Sequence, residues 1–165
     1  MRDGSGTFAK LGLTGLAMAL ATGGLPANAG EGSGAPATRA TGGDVSITVT
    51  EMRNAKGTVL ACMTSDPERF PKCRGDADAY MVKVPAGKAA HLTFKDVKPG
   101  RYAIALLHDE NGNGKADRAL GMMPKEGFGF SRDAPVKMAP PKFGDAAFDY
   151  SGKATSLTIR MRYML

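Results

Sequence analysis

The sequence predicts an all-β domain, and three observations carry that reading. Short stretches alternate apolar and polar residues at a period of two, as half-buried strands do. Clusters of Gly, Pro, Asn and Asp separate those stretches at short intervals, as turns do. No stretch beyond residue 43 sustains a helical period over three turns. Together they give a single antiparallel β-sandwich of about seven strands over residues 44–165.

Residues 45–50 (VSITVT) form the first strand. Arg53-Asn54-Ala55-Lys56-Gly57 is a turn into the second, residues 58–63, and a hairpin is the cheapest pairing of the two. Residues 64–75 make a loop containing Asp66-Pro67 and Phe70-Pro71, and Asp76 and Asp78 are solvated turn residues. Residues 79–84 are the third strand, and Pro85-Ala86-Gly87 turns the chain. The fourth strand, residues 88–94, puts Ala90, Leu92 and Phe94 on one face and His91 and Thr93 on the other, so His91 is expected at the surface. Pro99-Gly100 closes a tight turn. The fifth strand, residues 101–107, is almost continuously apolar and is expected at the centre of its sheet.

Residues 127–131 give a short extended segment. Residues 132–145, with Pro135, Pro140, Pro141 and Gly144, read as a long surface loop, and residues 146–150 as a short strand. Residues 156–163 alternate best of all, with Leu157, Ile159, Met161 and Tyr163 inward and Thr158, Arg160 and Arg162 outward. The size suits an immunoglobulin-like or transthyretin-like sandwich. With no Trp and no cysteine pair at immunoglobulin spacing, a true immunoglobulin domain is not indicated.

Residues 1–29 are excluded from the fold. Arg2 and Lys10 precede an apolar stretch, and Ala27-Asn28-Ala29 is an A-x-A cleavage pattern, so a signal peptide removed after Ala29 is expected. The apolar stretch is too short and too rich in glycine to span a bilayer, which takes roughly 20 apolar residues. No later segment is apolar enough to span. Residues 30–43 (GEGSGAPATRATGG) lack apolar mass and form a disordered linker. The expected location is the periplasm or the outside of the cell. Removing Arg2, Asp3 and Lys10 lowers the formal net charge from +6 to +5. The cations are scattered, without a basic run or interleaved aromatics, which argues against a nucleic-acid partner. Cys62 and Cys73 are the two cysteines, and in an exported chain they are expected to pair. Their spacing is not C-x-x-C, so a thioredoxin-like role is not indicated.

The densest chemistry follows the fifth strand: His108-Asp109-Glu110-Asn111-Gly112-Asn113-Gly114-Lys115-Ala116-Asp117. Asp109, Asn111, Asn113, Gly114, Lys115 and Asp117 match positions 1, 3, 5, 6, 7 and 9 of an EF-hand calcium loop. A hard cation takes six to eight oxygens, which alternate residues of a tight turn can aim at one centre. The glycine permits the sharp turn, and Lys115 would contribute its carbonyl. Two features depart from an EF-hand. Position 12 is Leu120 instead of a bidentate glutamate, and a strand precedes the loop. Ca²⁺ is therefore the expected cofactor, bound weakly, with Glu126 or Glu110 supplying missing oxygens. The simpler alternative is a polar turn, since Asn and Gly adopt positive φ and Asp and Asn make Asx-turns.

His108 is expected to hydrogen-bond across the mouth of the loop, because adjacent strand residues point to opposite faces. Two other function classes are weighed. A metal-assisted hydrolase would use Asp109, Glu126 and His108 in a cleft. A carbohydrate-binding module would stack sugars on aromatics such as Tyr80, Tyr102, Phe128, Phe130, Phe143 or Tyr150, residues whose commoner fate in strands is the core. The leading expectation is non-enzymatic: binding or structure, towards a protein or an envelope component.

Several motifs extend this loop: Pro99-Gly100-x-Tyr102-Ala103-Ile104, the HDENGNGKxD run, Gly121, Pro124-Lys125-Glu126-Gly127-Phe128-Gly129-Phe130-Ser131, and Pro141-x-Phe143-x-Asp145-Ala146-Ala147-Phe148. In combination they resemble the family catalogued as domain of unknown function 2141, over nearly the whole mature domain. The resemblance implies an exported bacterial protein and a small β-sandwich, and it implies no activity. Met122-Met123 departs from the shorter apolar step usual before the proline. The D-x-N-x-N-G loop also resembles calcium loops of cell-surface β-sandwich repeats, a likeness of site alone.

Overall fold

The computed structural model describes residues 42–87, 89–119 and 123–165. The expected signal peptide, all but the last two residues of the expected linker, and Leu120 lie outside them. In chain order the strands are β1 (Gly43–Thr50), β2 (Thr58–Thr64), β3 (Tyr80–Pro85), β4 (Ala90–Val97), β5 (Gly100–Asp109), β6 (Arg118–Ala119), β7 (Met123–Pro124), β8 (Gly127–Phe130), β9 (Phe148–Tyr150) and β10 (Thr155–Arg160). A 3-10 turn (Ser131–Asp133) and a one-turn helix, α1 (Phe143–Ala146), lie between β8 and β9.

One sheet runs β10-β1-β4 and the other β3-β2-β5-β8, with β9 also paired to β5. β6 and β7 form a small hairpin of their own. The inward faces meet in one apolar cluster. Val45, Ile47 and Val49 of β1 and Leu92 and Phe94 of β4 pack against Val59, Ala61 and Met63 of β2 and Ile104 and Leu106 of β5. The all-β expectation holds, and the alternation read in residues 90–94 and 156–163 places inward residues correctly. Ala90, Leu92, Phe94, Ile159 and Met161 are buried, and His91 is exposed.

Two expectations fail. β1 and β2 do not form a hairpin: they belong to different sheets, and residues 51–57 carry the chain across between them. A tight hairpin needs a two-residue turn of the Asn-Gly kind, whereas this connection is longer and its Glu51 adopts a left-handed φ of 57°. Nor is the pairing wholly antiparallel. β1 lies between β4, antiparallel, and β10, parallel, with Val45 opposite Thr155 and Thr50 opposite Arg160.

β5 explains its own apolar run. Tyr102, Ile104 and Leu106 face the main core, while Ala103 and Ala105 face a second cluster with Phe70, Phe130, Ala134 and Ala146. Two loops cover that outer face. The first, between β2 and β3, brings in Phe70, whose ring meets Phe130 at 5.8 Å and Phe143 at 6.1 Å, edge to face in both cases. The disulfide Cys62–Cys73, with Cα atoms 6.3 Å apart, ties this loop back to β2 as expected. The second cover is residues 131–147. The stretch expected as a surface loop, residues 132–145, is mostly exposed, but its Ala134 packs with Ala146 onto this face, because the small residues of β5 leave a shallow surface that needs filling.

Ser131 sits where β8 gives way to β9 along β5. Its hydroxyl accepts the Ile104 N–H at 2.9 Å and donates to the Ala146 carbonyl at 2.6 Å. It supplies the hydrogen bond that neither strand gives Ile104, whose neighbours pair at Ala105–Phe130 and Tyr102–Phe148.

Candidate functional site

β5 continues two residues past its expected end, through His108 and Asp109, and both side chains are fully buried. Successive strand residues point to opposite faces. His108 falls on the core side. Its Nε2 lies 2.8 Å from the Lys56 carbonyl, which only accepts, so Nε2 carries the hydrogen. Nδ1 then accepts from the Tyr163 hydroxyl at 2.7 Å. That hydroxyl also accepts the Arg53 backbone N–H at 3.2 Å, and burial pushes its pKa up. His108 is thus held across the mouth of the loop, as its position implied, and does not converge with Asp109 and Glu126.

The Asp109 carboxylate organises the turn. It accepts the backbone N–H of Asn113 at 3.1 Å on one oxygen and of Gly114 at 2.7 Å on the other. The Asn111 side-chain oxygen accepts the Asn113 N–H at 3.1 Å, and the Asn113 oxygen accepts the Lys115 N–H at 2.8 Å. These are successive Asx-turns, the reason Asn and Asp suit alternate positions. Gly112 and Gly114 both adopt φ of 73°, a region that β-carbons disfavour. The side-chain amides of Asn111 and Asn113 donate to one Asp117 oxygen at 2.7 and 2.9 Å. Those two bonds are the main reason its carboxyl pKa lies below the ordinary value. Lys115 takes part through its backbone.

Glu126 closes the loop. Its Oε2 accepts the Asp117 N–H at 3.0 Å, while the Lys125 N–H donates to the Asp117 carbonyl at 3.0 Å. The side chain is buried, the residue only 4% exposed, and no described residue donates a hydrogen bond to its Oε1. Burial raises its pKa; the Asp117 N–H bond opposes this, and the nearby carboxylates of Asp109 and Asp117, together with a side-chain hydrogen bond to Asp109, add to it. β5 and β8 pair through Leu107–Phe128 and His108–Gly127, where the ladder ends; counted one position further, Asp109 falls opposite Glu126. Like charges directly opposite each other on a ladder are destabilising.

Among the described residues, no group of three or more His, Cys, Asp or Glu side chains is arranged to hold a metal. The oxygen set here is mixed: the carboxylates of Asp109, Asp117 and Glu126, with the amide oxygens of Asn111 and Asn113. An ionised carboxylate offers about four lone-pair positions. Asp109 therefore retains acceptor capacity beyond its two N–H bonds.

Sequence reasoning missed Arg53, read only as part of a turn. Its Nε lies 2.6 Å from Glu110 Oε1, its Nη2 donates to the Lys125 carbonyl at 2.9 Å, and its Nη1 donates to the Leu165 carbonyl. The guanidinium lies 4.5 Å above the Tyr163 ring. Nothing in the linear sequence marks it. Tyr163 was findable, because an inward tyrosine needs a partner for its hydroxyl. Glu110 pairs with Arg53, and that bond holds its carboxyl pKa low.

Two concavities lie away from the loop. One, about 780 Å³, is lined by residues such as Arg132, Pro140 and Lys142, and the other by residues such as Arg69 and Lys72. The aromatics weighed for sugar stacking are buried or half-buried among the described residues, and Phe128 and Phe130 are tilted by 43°.

The model of one protein family, described as "Uncharacterized protein conserved in bacteria (DUF2141)", matches residues 47–158. The chain belongs to the DUF2141 family. The match runs from β1 into β10 and includes the whole 109–126 loop of this DUF2141 chain. Comparison with curated proteins and with solved structures returned no match.

Proposed function

We propose that this protein is an exported, non-enzymatic β-sandwich of the cell envelope whose 109–126 loop is closed by a cation. Its role is binding or structural, towards a protein or envelope component. One observation carries the cation: the buried Glu126 Oε1, without a donor among the described residues, beside the buried Asp109 carboxylate. Leaving a buried charged group without a partner is costly. A cation between the two would satisfy the free oxygen and cancel the like-charge opposition. The donors are all oxygens and the turn is compact, which favours Ca²⁺ over softer metals. Asp109, Asp117 and Glu126 would hold it with the side-chain oxygens of Asn111 and Asn113 and the Lys115 carbonyl. With few charges the affinity falls near the roughly 10⁻⁴–10⁻³ M of extracellular modules. Export is supported by the leader pattern of residues 1–29 and by the disulfide Cys62–Cys73, a bond favoured outside the cytosol.

The test is thermal unfolding of protein purified from the exported fraction, with its N-terminus sequenced. The expected first residue is Gly30; an uncleaved chain retained in the cytoplasm overturns export. Ca²⁺ at ten times its Kd should stabilise by about 1.4 kcal/mol, on the order of 5 °C in Tm. Asp109→Ala should abolish the shift. A wild-type Tm indifferent to both Ca²⁺ and EDTA overturns the cation site.

A further inference from the structure

The geometry points to Arg53 as the positioning residue of this cation loop, a clasp that keeps Asp109 and Glu126 in register by replacing the next rung of the β5–β8 ladder. The inference rests on the cation reading above and assigns that site its control element.

The ladder descends through Ala105–Phe130, Leu106–Gly129, Leu107–Phe128 and His108–Gly127, and there its backbone hydrogen bonds stop. Continued by count, the next positions are 109 against 126 and then 110 against 125. Arg53 binds both members of that last position, Glu110 through Nε at 2.6 Å and the Lys125 carbonyl through Nη2 at 2.9 Å. The carboxylate pair is therefore bracketed, by the last true rung on one side and by the guanidinium on the other.

The pair needs such a bracket, because two opposed carboxylates push their strands apart and no backbone bond holds them at their own position. A planar guanidinium suits the task, since its donors leave in fixed directions and span two acceptors. Arg53 is itself aimed from several sides. Its guanidinium lies on the Tyr163 ring, Nη1 is bonded to the Leu165 carbonyl, and its own N–H is bonded to the Tyr163 hydroxyl. Tyr163 is fixed in turn by His108. The group from His108 through Tyr163 to Arg53 thus sets the distance between two residues that it does not touch.

Charge and geometry make opposite demands here. The Arg53 cation repels an incoming Ca²⁺, so a purely electrostatic role predicts tighter binding once it is removed. A positioning role predicts weaker binding, even when the charge is kept. The experiment is calorimetric titration of the mature protein with CaCl₂, comparing wild type, Arg53→Lys and Arg53→Met. Both variants should bind about tenfold or more weakly, in line with the 10–100-fold typical when a residue that orients metal ligands is lost. The Cys62→Ala/Cys73→Ala double variant, destabilised elsewhere, should keep the wild-type Kd, which separates positioning from general loss of stability. Wild-type binding with an unchanged or tighter Kd in Arg53→Lys and Arg53→Met overturns the clasp and leaves the cation site standing. A wild-type protein that binds no Ca²⁺ overturns both.

Discussion

Two loops leave the same sheet and are secured by different means. The loop between β2 and β3 is fastened covalently, by Cys62–Cys73, and inserts Phe70 into an apolar cluster. Among its described residues, the loop between β5 and β8 buries no comparable apolar anchor. It is held by N–H groups on Asp109 and Glu126 and by the Arg53 clasp, and one Glu126 oxygen has no donor among the described residues. The first loop is complete without any solute. On the reading proposed above, the second reaches its best energy when a cation arrives. On that reading the domain carries one permanent fastening and one that answers to its surroundings.

The largest expected effect tests the permanent fastening. Replacing Cys62 and Cys73 by Ala frees the loop chiefly in the unfolded chain, and should cost about 3 kcal/mol, on the order of 10 °C in Tm. The loss should be the same in EDTA and in millimolar Ca²⁺; a cation-dependent loss would erase the contrast between the loops. A smaller effect concerns the second cover of the outer face, residues 131–147, tied by a neutral hydroxyl. Ser131→Ala leaves the buried Ile104 N–H without its acceptor and should cost about 1–3 kcal/mol by denaturant unfolding. A neutral result would mean that the cover shifts to supply another acceptor. The smallest effect has the opposite sign. Glu126→Gln removes one of two opposed charges and should stabilise the cation-free protein by roughly 0.2–1 kcal/mol while abolishing the response to Ca²⁺. Destabilisation in EDTA would show that the opposed carboxylates are not under stress.

What the sequence disclosed depended on the range of each interaction. Alternation is local, so Ala90, Leu92, Phe94, Ile159 and Met161 could be placed inward from spacing alone. The Asx-turns from Asp109 to Lys115 are local too, and the D-x-N-x-N-G spacing foreshadowed their geometry. Strand partnership is not local. The supposed hairpin of β1 and β2 took nearness in sequence for nearness in space. The covering role of residues 131–147 was hidden because proline content marks a loop without saying what lies beneath it. Glu126 was nominable on the premise that the loop folds back, and the β8 register sets it opposite Asp109. Arg53 was illegible, because its value comes from Glu110, Lys125, Tyr163 and Leu165, partners that only the fold assembles.

The parallel pairing of β1 with β10 has a kinetic consequence. The first strand of the domain finds neither neighbour nearby: one is Ala90–Val97 and the other Thr155–Arg160. Such non-local pairing places the domain among topologies that fold in milliseconds to seconds, because long loops must close before their contacts form. A chain still emerging from the ribosome cannot complete its first sheet until residues 155–160 exist. A polypeptide exported as proposed would gain from that delay, since the β1–β4 pair lacks its third strand until β10 arrives.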